Sequence, residues 1–98
     1  MNQRTLYVDD FGHYMDADYR SGPFRFEDLD AALTHARRVV DQFLLDATGP
    51  EMSAAALFES FRMFGPDPWI VPGEGDPNIP FSAWNYSQQR CQELCGPR

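Results

Sequence analysis

Apolar positions recur along this chain with two different periods. Leu29, Leu33, Ala36, Val40, Phe43 and Ala47 are spaced 4, 3, 4, 3 and 4 residues apart, which gathers them on one face of an α-helix. Asp28 precedes the run as its N-cap, where a short side-chain oxygen accepts an otherwise unpaired backbone N–H, and Gly49-Pro50 ends it. The spacing therefore predicts a helix over 29–47, with Leu45 opposite the stripe and exposed. A second helix is predicted over 54–64, capped by Ser53 and stopped by Gly65-Pro66. Its face carries Ala54, Leu57, Phe58, Phe61 and Phe64, and Met63 falls off it. A third is predicted over 83–95, capped by Ser82 and closed by Gly96-Pro97. Trp84, Ser87, Cys91, Leu94 and Cys95 form its inward face, and Phe81 and Tyr86 occupy the two positions of a hydrophobic staple.

The N-terminal pattern has the shorter period of strands. Thr5-Leu6-Tyr7-Val8 reads as a strand running out at Asp9-Asp10, with Phe11-Gly12 as a turn. His13 to Tyr19 alternates His13, Met15, Ala17 and Tyr19 against Tyr14, Asp16 and Asp18, as a hairpin strand with one wet face does. Ser21-Gly22-Pro23 reads as a further turn, and Phe24-Arg25-Phe26 as a short third strand. Five prolines between Pro66 and Pro80 interrupt any regular pattern. Residues 66–81 are therefore expected to be a long proline-rich loop, within which Trp69-Ile70-Val71 can form only a short edge strand. The expected architecture is α+β in a single domain over 1–98: an N-terminal antiparallel hairpin of two to three strands over 1–26, packed against three helices, with the long loop before the last.

Composition narrows the function classes. The 98 residues carry 8 basic and 15 acidic side chains, a net charge of −7, and every basic residue is arginine. Nucleic-acid binding through phosphates is excluded by that balance, and no apolar run approaches the length of a membrane span. The first residues show no export signal, so a cytoplasmic protein with reduced thiols is expected. Fourteen aromatic rings (eight Phe, four Tyr, two Trp) are read mostly as core material, since large rings let a small domain bury much area.

Four segments together, Tyr7-Val8-Asp9-Asp10, His13-Tyr14-Met15-Asp16, Met63-Phe64-Gly65-Pro66-Asp67-Pro68 and Phe81-Ser82-Ala83-Trp84, resemble a family of small uncharacterised proteins of proteobacterial type. The resemblance implies a bacterial cytosolic protein of one compact domain, and no activity, cofactor or catalytic residue. Pro66 stands where the family pattern leads one to expect an acidic residue.

Few constellations point to chemistry. Asp16, Asp18, Arg20, Gly22 and Glu27 outline a calcium loop, but Arg20 holds a ligand position, the glycine comes one residue late and the flank reads as strand. His13 is within reach of Asp9 and Asp10 as a metal or general-base pair, although a hydrogen-bonded structural histidine is the simpler reading. His35 lies off its helix stripe and is expected in solvent. Cys91 and Cys95 share a helix face without the redox spacing or a nearby histidine, which favours buried inert thiols. Ser53 and Ser82 serve as caps, and there is neither a nucleophile elbow nor a phosphate-binding glycine loop. No catalytic, cofactor or metal residue is assigned. The reading that remains is a non-enzymatic interaction or adaptor domain for a protein partner, with Trp69, Met63 and Tyr86 as exposed anchors. A homodimer is compatible with it. The alternative is a small-molecule-binding protein or small enzyme, with a pocket between hairpin and proline-rich loop lined by Tyr7, His13, Tyr14 and Trp69. Acidic mimicry of nucleic acid is a third, minor option, because the acids alternate with arginines.

Overall fold

The computed structural model describes residues 3–13 and 20–95. In chain order they form strand β1 (Arg4–Asp10), a one-turn 3-10 helix (Phe11–His13), β2 (Ser21–Phe26), helices α1 (Leu29–Ala47) and α2 (Ala54–Phe64), β3 (Pro66–Val71) and α3 (Ala83–Cys95). The fold is α+β, with an antiparallel sheet of order β2-β1-β3 packed against the helices. All three helices begin and end where their patterns predict. Their caps are in place: Asp28 Oδ1 accepts the Ala31 N–H at 2.9 Å, Ser53 Oγ that of Ala56 at 3.1 Å and Ser82 Oγ that of Asn85 at 3.2 Å. Each cap satisfies one of the donors that a helix leaves unpaired in its first turn.

The sheet departs from expectation in two places. Ser21-Gly22-Pro23 is not a turn but the first half of β2. Leu6 pairs with Phe24 and Val8 with Ser21, so Gly22 and Pro23 together oppose Tyr7 as a bulge. Gly22 takes φ +114° there, a conformation open to glycine. Of the strand expected from His13 to Tyr19, the His13 backbone belongs to the 3-10 turn and residues 14–19 lie outside those described. Finally, Pro66–Val71 is a full strand, leaving only residues 72–82 as loop.

The proline spacing explains that strand. The Phe11 N–H donates to Gly65 O at 3.0 Å and extends the β1–β3 ladder by one step. This fixes the alternation, so Asp67, Trp69 and Val71 turn their N–H groups toward β1. Pro66 and Pro68 fall between them, at positions whose N–H faces away from the sheet. An edge strand needs no donor there. The shortened loop is then tied to β1, because Asp76 accepts Arg4 Nε at 2.6 Å and Nη2 at 2.9 Å, together with the Gly73 N–H at 2.8 Å.

One face of the sheet forms the core. Leu6 and Ile70, paired across β1 and β3, are buried with Pro68 beneath the helices. The deepest residues of α1 are Ala32, Ala36, Val40 and Leu44, while Leu29, Leu33, Phe43 and Ala47 pack along the flank. The helix is thus rotated slightly from its widest apolar stripe, and two alanines let it approach the core closely. In α2, Leu57 and Phe61 are fully buried, and Phe61 meets Phe11 and Phe43 edge-on at 5.3 and 5.7 Å between ring centres. Phe64, expected on the same face, is 67% exposed. Phe61 already closes that end of the core by lying over Gly65, where an added Cβ would stand 2.5 Å from its ring.

In α3 the buried stripe is Ala83, Ser87, Cys91 and Cys95, so Trp84 is displaced from the core and 43% exposed. Tyr86, expected on the outer face, is half-buried instead. Its hydroxyl donates to Asp41 on α1 at 2.9 Å, and Arg90 Nε donates to the same carboxylate at 2.9 Å. Both thiols are free and buried, as the sequence implies, and burial with Cys95 alongside pushes the Cys91 thiol up to about 11. Among the described residues, no helix is long and apolar enough to cross a membrane.

Candidate functional site

The sheet's second face carries the odd-numbered residues of β1 and β3. Tyr7 and Trp69 are cross-strand partners, and their rings stack with centres 5.0 Å apart. Arg20 lies over both, 5.7 Å from the Tyr7 ring centre and 5.3 Å from that of Trp69, as a guanidinium on aromatic faces does. The same guanidinium grips Asp9 with two hydrogen bonds, of 2.7 and 3.2 Å, and the Trp69 indole N–H donates to Asp9 at 3.1 Å. Trp69 is therefore not a free anchor: it is half-buried, and one side is fixed by Tyr7 and Arg20.

Its other surroundings form a groove. Phe11 from the 3-10 turn, Asp67 and Trp69 from β3, and Ile79, Phe81, Ser82, Ala83 and Trp84 from the loop and the start of α3 enclose about 520 Å³. That is within the range of ligand sites. Its walls are aromatic: Trp84 stands edge-on to Phe58 at 5.0 Å and to Phe11 at 6.1 Å. Its rim is open, since Ile79 is 74% exposed. Asp67 is the one ionisable side chain lining it among the described residues.

Asp67 is in an unusual position. It sits directly across the ladder from Asp9, and Asp9 already takes the donors within reach, from Arg20 and Trp69. Among the described residues, no hydrogen bond or ion pair reaches the Asp67 carboxyl. Burial, followed by the charge on Asp9, raises it from the ordinary 3.8 to about 6. A desolvated carboxyl facing aromatic walls can hold a cation or transfer a proton.

Of the residues singled out from the sequence, Trp69 lines this groove and Tyr7 backs it. Met63 is 47% exposed, near the end of α2, and does not line it; neither does Tyr86, which binds α1. The His13 side chain and Tyr14 lie outside the described residues, as do Asp16 and Asp18 of the calcium-like outline. Arg20 from that outline is the ion-pair partner of Asp9. His35 is not free in solvent: it is half-buried, its ring 5.1 Å from Phe26 and 6.1 Å from Phe24. With Arg38, Val39 and Gln42 it lines a second, shallower groove of about 400 Å³. No cluster of three or more metal-ligating side chains occurs among the described residues.

The sequence reading missed Phe11, Asp67, Ile79 and Trp84. One signal was available: Asp67-Pro68-Trp69, read as an edge strand, puts the carboxylate and the indole on the same face. No family model, curated protein or solved structure matches the chain, and its functional reading rests on the geometry.

Proposed function

We propose that the protein is a small, non-enzymatic interaction domain that docks a segment of a partner protein in the groove between β3 and residues 79–84. The observation that carries this reading is the open, aromatic-walled groove with Asp67 on its lining. Its aromatic walls are held before any partner arrives: Trp69 by Tyr7, Arg20 and Asp9, and Trp84 by Phe58 and Phe11. Rigid aromatic anchors lose little freedom on binding. Recognition falls to side chains rather than to strand addition, because the outward positions of β3 include Pro66 and Pro68, which carry no N–H. The alternative, a small-molecule pocket, has the groove's volume in its favour. The exposed rim at Ile79 and the single ionisable group on the lining favour a docked chain.

The test is an array of extended peptides probed with the wild-type protein and with Ile79→Ser and Trp84→Ser. Both substituted side chains are substantially exposed, so both variants are expected to fold. A set of peptides retained by the wild type and lost by both variants supports docking in this groove. Equal retention by all three proteins overturns it, as does no retention at all.

A further inference from the structure

Resting on that reading, we infer that the docked side chain is cationic, a lysine or arginine of the partner, received between Trp69 and Trp84 with its charge against Asp67. Three features of the groove converge on this chemistry. First, the walls are aromatic, and aromatic rings attract cations while tolerating an aliphatic stem. Second, the carboxyl on the lining has no donor among the described residues, although it sits where water is partly excluded. A half-buried carboxylate is costly to desolvate, and an incoming N–H donor with a positive charge offsets that cost. A neutral aliphatic side chain leaves the carboxyl unpaired and further desolvated. An acidic one would meet Asp67 and, across the ladder, Asp9.

The third feature is that, among the described residues, the chain supplies no cation to the Asp67 carboxyl. The chain contains no lysine, and the nearest arginine in the cluster, Arg20, is committed to Asp9 through Nε and Nη2. The overall charge of −7 adds a long-range attraction for a basic segment, which acts mainly on the rate of encounter.

The charged groups around Asp67 also set how the site responds to pH. Among the described residues, Asp9 faces it from β1, Arg20 offsets Asp9, and Phe11 and residues 79–84 contribute no ionisable group to the lining. Asp67 becomes charged as pH rises through about 6, while lysine and arginine stay protonated throughout. Binding should therefore strengthen between pH 5 and pH 7.

Both tryptophans of the chain line the groove, so their fluorescence and indole N–H resonances report its occupancy. The probes are two blocked pentapeptides that differ only at the central residue, lysine in one and norleucine in the other, together with n-butylammonium chloride. The lysine peptide is expected to bind at least about tenfold more tightly than the norleucine peptide at pH 7, a difference of about 1.4 kcal/mol. This preference should shrink at pH 5 and disappear in Asp67→Asn, whose carboxamide replaces a side chain that makes no hydrogen bond among the described residues. Equal binding of the two peptides overturns the cationic assignment and leaves docking intact. Perturbation by neither peptide removes both. Butylammonium binding as tight as the lysine peptide would reassign the groove to free amines.

Discussion

Asp67 carries a cost that its surroundings impose, and the sign of that cost follows from where it titrates. In the unfolded chain it loses its proton near the ordinary 3.8, and in the folded protein near 6. Between those values the folded state keeps a proton that the unfolded state has released. Stability therefore falls as pH rises through that window, and the full cost is present above pH 6. Allowing for the water that still reaches the carboxyl, this cost is about 1–2 kcal/mol. Asp67→Asn should recover it at pH 8 and change little at pH 3, as measured by chemical denaturation at both values. An equal gain at both would show that ionisation is not the cause.

At the scale of elements, α3 is held to α1 by one carboxylate. Asp41 accepts from the Tyr86 hydroxyl and from Arg90 Nε, and burial first, then this bond, pushes the Tyr86 hydroxyl up to about 12. Asp41→Ala should destabilise the protein by about 1–2 kcal/mol. It should also lower the Tyr86 titration, followed by ultraviolet absorbance, without returning it to the ordinary 10, because burial is the larger cause. An unchanged titration would mean that the bond does not persist in solution. The same region shows what local pattern can and cannot convey. The limits of the helices were legible, since caps, period and Gly-Pro stops are all local. The orientation of α3 was not: Ala83 and Trp84 differ by one position, and only packing against α2 and β3 decides that the alanine goes inward. β3 was hidden for a different reason. The prolines limit the expected strand to Trp69-Ile70-Val71, whereas at alternate positions on an edge proline removes only donors that have no partner. The groove was illegible beyond Trp69 because three separated stretches build it, the turn at Phe11, β3 and residues 79–84.

Over the whole molecule, charge acts in two ways that salt can separate. The chain's 15 acids face 8 arginines, and Arg4, Arg20, Arg62 and Arg90 are paired with Asp76, Asp9, Glu59 and both Asp41 and Glu93. The remaining excess of negative charge is spread over the surface and repels itself at long range. That repulsion is screened once the Debye length falls to a few ångströms, whereas the desolvation of Asp67 is local and little affected by salt. Raising sodium chloride from a low value to about 0.5 M at pH 8 should therefore increase the melting temperature of the wild type by a few degrees. Asp67→Asn should rise in parallel, keeping its advantage over the wild type at every salt concentration. If salt instead lowered the melting temperature, the arginine pairs would outweigh the repulsion. If it closed the gap between the two proteins, the cost of Asp67 would come from distant acids rather than from burial in its groove.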